Sequence, residues 1–235
     1  MLRRRANLIF SHFCRVFEER YMKLSLKGLL VAVALLMYGT SYAAVQGKEF
    51  TLLAAPQIAN AKKIEVLEFF FYECSHCYHL HPELARWEKA LPADVELTLV
   101  PTIFRDSTEP LARAYYALDS IGKIKQLDDA IYQAIHVKQA NLYDLDTISA
   151  FVASNGVDKT KFAAAYNSFS VNSRIMRAKQ MIREYHIEGT PTLVVDGRYA
   201  ITGLQPADTI RVLNEVVAMV RKGRAGASGK VKTKP

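Results

Sequence analysis

The sequence predicts an α/β fold in which a strand–helix–strand unit and a closing hairpin with its helix are separated by an inserted block of helices. Three observations predict it. The apolar and aromatic run Glu65-Val66-Leu67-Glu68-Phe69-Phe70-Phe71-Tyr72 has the length of a buried strand and leads straight into Cys74-Ser75-His76-Cys77. Between Pro110 and Tyr185 the apolar spacing becomes helical. After that block the strand pattern returns at Thr192-Leu193-Val194-Val195, followed by Asp196-Gly197 and Arg198-Tyr199-Ala200-Ile201.

In chain order, Phe50 to Leu53 fits a short edge strand that ends before Pro56. After the buried strand, Leu80, Leu84 and Trp87 fall at i, i+4 and i+7, so a helix starts at the cysteine pair and ends near Leu91-Pro92. Val95 to Val100 is rich in β-formers and closed by Pro101. It pairs most simply in parallel with the first central strand through a right-handed crossover. Five helices follow. Pro110 opens the first, with Leu111, Tyr115 and Leu118 on one face and Gly122 at its end. Leu127, Ile131, Ala134 and Ile135 mark the second. Asp144 or Asp146 caps the third, which stops at Asn155-Gly156. Asp158 caps the fourth, and Val171, Ile175, Ala178, Ile182 and Tyr185 form the stripe of the fifth. Asp-Gly then supplies the positive φ values of a tight hairpin turn, and Pro206 opens a last helix carrying Ile210, Leu213, Val217 and Val220. This order is that of a thioredoxin-like fold with an inserted helical subdomain, at about residues 108–187.

The thiols therefore sit where a buried strand hands over to a helix N-terminus. Free N–H groups and the aligned peptide dipoles favour a thiolate at Cys74 there, and His76, if protonated, adds a cation. Cys77, one turn further in, is expected to be more buried and a poorer nucleophile. An accessible low-pKa thiol beside a shielded one is the arrangement that dithiol–disulfide exchange uses.

Composition sets the outer bounds. The 235 residues are 50% hydrophobic and 23% charged, an ordinary globular balance, and the net charge of +8 is carried by the ends. Residues 44–220 hold 18 bases against 21 acids, which argues against a nucleic-acid-binding face. Residues 22–43 read as a secretory signal peptide: Lys23 and Lys27, the apolar run Leu29 to Met37, and Ser41-Tyr42-Ala43 as a small-x-small cleavage site. The apolar run is shorter than the ~20 residues a spanning helix needs. An uncleaved anchor is the competing reading. Residues 1–21 are then an N-terminal extension or a mis-start before Met22, and Cys14 is lost with them. The mature protein, whose domain spans 44–220, keeps only Cys74 and Cys77, too few for a disulfide framework. Residues 221–235, rich in Gly, Lys and Ser, are expected to be a disordered basic tail.

Val66-Leu67-Glu68-Phe69-Phe70, Cys74-Ser75-His76-Cys77-Tyr78, the helical insertion and Gly189-Thr190-Pro191-Thr192 together resemble the DsbA family of periplasmic thiol:disulfide oxidases, over about residues 46–220. The resemblance implies an exported, periplasmic enzyme without a cofactor, monomeric, that introduces disulfides into reduced, unfolded exported proteins. A membrane quinone-linked oxidoreductase similar to DsbB would reoxidise it. It further implies that Cys74 carries the reactive sulfur, that Glu68 is a proton acceptor of raised pKa serving Cys77, and that Pro191 is cis against the cysteine pair. Thr190 would offer its backbone to an extended substrate. Ser75 departs from the family, in which proline is familiar at that position.

The alternatives are weaker on chemistry. A zinc site built from Cys74 and Cys77 with His79 or His81 lacks a second Cys/His cluster to complete four ligands. A reductase or isomerase, a glutathione-dependent transferase and a peptide-holding chaperone share the fold's outline. A transferase would not need Cys77, and a chaperone would not need Cys74. Glu65 and Glu73, nearer the strand ends, are expected to be solvated; His136 and His186 are expected to have no chemical role.

Overall fold

The computed structural model describes residues 43–54, 56 and 62–231, with side chains up to residue 226. Everything expected of residues 1–42, including the extension, Cys14 and the body of the signal peptide, lies outside the described residues, as do 232–235.

The sheet has five strands in the order β1-β5-β4-β2-β3. Strand β2 (Ile64–Phe70) is central, parallel to β3 (Val95–Pro101) and antiparallel to β4 (Thr192–Val195). Strand β5 (Tyr199–Thr202) joins β4 to the two-residue edge strand β1 (Thr51–Leu52). The β4–β5 turn places Asp196 at φ 58° and Gly197 at φ 63°, the mirror-image turn whose twist matches the strands. Asp196 tolerates that region and holds its place through an ion pair to Arg224.

Helix α1 (Ser75–Lys89) crosses from β2 to β3. The insertion contains α2 (Glu109–Ser120), α3 (Ile124–His136), α4 (Leu145–Ser154), α5 (Lys159–Tyr166) and α6 (Phe169–Glu184). Asp144 caps α4 by accepting from Thr147 N–H at 2.8 Å, and Asp158 caps α5 in the same way from Lys161. These caps set the chain breaks between short helices.

Alternation along β2 divides the core in two. Leu67 and Phe69 face the helical insertion and pack with Leu118, Ile131 and Ile175; Ile64 and Val66 face the other way, against Leu80 and Leu84 of α1 and Val212 and Leu213 of the last helix. Removing a fully buried leucine such as Leu80 or Leu118 would cost roughly 2–5 kcal/mol. Glu68 shares the even-numbered face, so a carboxylate is built into the wall beneath α1. Burial leaves Glu68 only 5% exposed.

Helix α7 (Pro206–Val231) departs from the expectation of a disordered tail after Arg221. The helix continues to Val231. Arg221 grips Asp94 through two bonds of 2.6 and 3.1 Å, and Arg224 reaches Asp196 and the Lys63 carbonyl. Composition registers glycine and charge, not these tertiary anchors, and cations in the last turns of a helix also suit its dipole.

Candidate active site

The end of β2 delivers the chain into a tight turn. Cys74 N–H donates to the Phe71 carbonyl at 3.1 Å, and Cys74 then acts as N-cap of α1 in an extended conformation. Its Sγ accepts from Cys77 N–H at 3.4 Å, so an unsatisfied amide of the first helical turn is aimed at the sulfur. Both cysteines are free thiols, Cys74 8% exposed and Cys77 fully buried.

Those surroundings separate the two sulfurs chemically. The Cys77 thiol donating to Cys74 brings the latter down to about 5, helped by the Thr190 side chain and the N–H groups of Cys77 and His76, against the opposing effect of burial. Burial above all, then that same donated proton and the nearby Glu68 charge, pushes Cys77 well above the ordinary thiol range. The His76 ring is exposed, and it is the main-chain N–H of that residue that favours the Cys74 thiolate. Alkylation of the reduced protein by iodoacetamide should therefore show a midpoint near pH 5 for Cys74, with Cys77 unmodified under native conditions; mass spectrometry of quenched samples measures both.

Glu68 is held neutral up to about pH 8 by burial first, then by the charges of Asp128 and Cys74. Thr190–Pro191 is a cis peptide, and the Thr190 carbonyl accepts from the Cys74 thiol at 3.4 Å. The structure thus brings Cys74, His76, Cys77, Glu68, Thr190 and Pro191 into one region, around the start of α1 and the loop before β4.

Other neighbours carry weaker sequence signals or none. His136 Nε2 lies 2.7 Å from the Tyr72 carbonyl, and its ring stacks on Tyr78 at 4.6 Å, clamping α3 to the loop before Cys74. Asp128 of α3 accepts from the Tyr72 hydroxyl at 2.6 Å, and His81 Nδ1 lies 3.8 Å from it. Glu65 and Glu73 are not solvated as expected. Burial raises the pKa of both, and Glu73 Oε2 has no hydrogen-bond partner. The strand-end position of these residues suggests exposure, but the folded chain leaves both half-buried. Tyr115 and Tyr116 are core residues, with Arg174 over the Tyr116 ring at 4.2 Å. No group of three or more potential metal ligands is present among the described residues.

Beside the cysteines, Phe71 meets Phe104 edge-on at 6.2 Å, and Phe104 is 40% exposed. This gives the nucleophile an apolar flank.

Comparison with known proteins agrees with this geometry. The model of the DSBA-like thioredoxin domain matches residues 9–213. A thiol:disulfide interchange protein DsbA of Burkholderia cepacia is 36% identical over 209 residues, covering 85% of this chain and 98% of that protein. The protein of the same name from a Pseudomonas aeruginosa strain is 33% identical over 185 residues, covering 77% and 86%. Among solved structures, the oxidoreductase DsbA from Xylella fastidiosa superposes with a TM-score of 0.73 at 35% identity, covering 77% of this chain and all of that one.

Proposed function

The chain belongs to the DsbA family, and from that premise we propose that it is a thiol:disulfide oxidoreductase that introduces disulfides into exported proteins through Cys74 and Cys77. The observation that carries this is the unequal placement of the two sulfurs: Cys74 caps α1 with the Cys77 N–H aimed at its Sγ at 3.4 Å, while Cys77 is fully buried one turn further in.

Exchange begins from the disulfide form. A substrate thiolate attacks Cys74 Sγ and forms a new S–S bond. The Cys74–Cys77 bond breaks, and Cys77 leaves as a thiolate that takes the proton of the Glu68 carboxylic acid. The substrate's second thiolate attacks its own sulfur in the mixed disulfide and releases Cys74 as a thiolate. The substrate has lost two electrons, which the enzyme's dithiol now holds. Stabilising that thiolate drives the step: at pH 7 an ordinary thiol is ~1% ionised and one at about 5 is ~99% ionised, favouring the reduced enzyme ~100-fold.

The remaining roles complete the reading. Thr190 and Pro191 receive an extended substrate strand, the Thr190 carbonyl being free of the Cys74 S–H in the disulfide form that the substrate meets. His76, exposed beside Cys74, offers a cation to the thiolate when protonated. Substrates are reduced, unfolded proteins, and a partner oxidase of the DsbB kind, quinone-linked in the membrane, removes the two electrons. The protein acts as a monomer in the periplasm, after export on a signal peptide spanning 22–43, with residues 1–21 an N-terminal extension or a mis-start.

The test is direct. The purified disulfide form is mixed with a reduced, unfolded protein containing two cysteines, and thiols are counted. One substrate disulfide per enzyme supports the reading, and an unchanged thiol count overturns it. Full activity without Cys77 would instead point to a glutathione-dependent enzyme.

A further inference from the structure

A cleft of about 660 Å³ runs beneath the cysteine helix, between α1, β3 and the inserted helices. Glu68 of β2 and Asp128 of α3 both line it, and both are largely or wholly buried from solvent. Two carboxylates in one desolvated cleft resist being ionised together, so the surroundings decide which of them carries the charge. Here the donors stand around Asp128: the Tyr72 hydroxyl at 2.6 Å and the His81 ring at 3.8 Å. Tyr72 is buried beneath the active-site turn, and Tyr132 of α3 packs against both its ring, at 4.9 Å, and that of His81, at 4.7 Å. Burial raises the pKa of both carboxyl groups, but Tyr72 and His81 oppose it at Asp128 whereas nothing opposes it at Glu68, so the charge resides on Asp128 and the proton on Glu68.

We propose that Asp128, anchored by the Tyr72 hydroxyl, is a positioning residue for disulfide exchange, acting through Glu68: its fixed negative charge in the shared cleft keeps the proton on Glu68 until Cys77 takes it. This rests on the reading that Glu68 exchanges a proton with Cys77. Asp128 touches neither cysteine nor substrate. Its influence passes through the cleft, and the direction matches the raised pKa of Glu68, for which Asp128 is the largest cause after burial. The other charged groups lining the cleft are Glu88 and Lys89 of α1, Lys125 and Asp129 of α3, Asp119 of α2 and Arg174 of α6. His81, when protonated, partly neutralises Asp128 from α1 and lies 3.9 Å from Asp129 as well.

The experiment follows the rate at which dithiothreitol reduces the full-length disulfide form from pH 5 to 10, expressed per dithiothreitol thiolate. In the wild type the rate falls as Glu68 loses its proton, giving an alkaline limb whose position in the disulfide form, which lacks the Cys74 charge, is set by burial and Asp128. Asp128→Asn keeps an acceptor for Tyr72 and removes the charge, so the limb should move to lower pH with the protein still folded. Tyr72→Phe releases the anchor and should move it the same way by less. In a Glu68→Gln background the limb should vanish, and Asp128→Asn should then have no further effect on the profile. A limb lost in Glu68→Gln but unmoved in both Asp128→Asn and Tyr72→Phe overturns the role of Asp128. A limb unchanged in Glu68→Gln overturns the proton-exchange role of Glu68 itself.

Discussion

Cys74→Ser should abolish disulfide transfer to a reduced, unfolded protein, by more than ~10³-fold and to the assay's limit. A serine hydroxyl is not ionised near neutrality and cannot form the S–S bond. Cys77→Ser should also lose net oxidation, because no internal disulfide remains to donate, yet its Cys74 should still be alkylated rapidly at neutral pH. Treated with a small disulfide such as oxidised glutathione, Cys77→Ser should accumulate a stable enzyme–glutathione mixed disulfide and release one glutathione thiol. Thiol counting and intact mass distinguish these outcomes. If Cys77→Ser kept full oxidase activity, the two-thiol mechanism would be wrong.

The second large effect concerns Glu68→Gln. The folded chain holds the Glu68 proton up to about pH 8, whereas the unfolded chain releases it near the ordinary glutamate value of 4.5. The unfolded state therefore binds fewer protons between these values, and the folded protein loses stability as pH rises from about 4.5 to 8, then no more. Glutamine carries no such penalty. The variant should match the wild type near pH 4 and be more stable by roughly 3 to 5 kcal/mol at pH 9. Comparing both proteins in the same redox state cancels the opposing pH dependence of Cys74. Denaturant melts at pH 4, 6.5 and 9 measure the difference, and a constant difference across pH would refute burial of an ionisable Glu68. Exchange should at the same time slow by about 10-fold or more, since glutamine has no proton to give Cys77.

The contrast between what the sequence shows and what it hides has a physical origin. The placement of Cys74 and Cys77 was legible because it follows from position along one strand and the helix after it, as was the burial of Glu68, whereas the role expected of Glu68 came from the resemblance. A carboxylate at an even position of β2 shares a face with Ile64 and Val66, so its burial is implied by periodicity alone. The five inserted helices and the Asp196-Gly197 turn were likewise written in local spacing. Asp128 was not. It borders the apolar stripe of α3 at Leu127 and Ile131, and α1 closes over the cleft only in the folded molecule. His136 is similar, since its bond to the Tyr72 carbonyl spans 64 residues of sequence. The same reason hid the continuation of α7: Arg221 and Arg224 are ordinary tail cations until Asp94 and Asp196 are brought beside them.

All of these effects converge on the relative stability of two covalent forms of one chain. The N–H groups of α1 and the Cys77 proton stabilise a charge at Cys74 that exists only when the disulfide is open. Scanning calorimetry of the fully reduced and fully oxidised protein at pH 7 tests that most directly. The reduced form should melt at the higher temperature; an oxidised form that melts higher would contradict the assignment of this protein as a donor of disulfides.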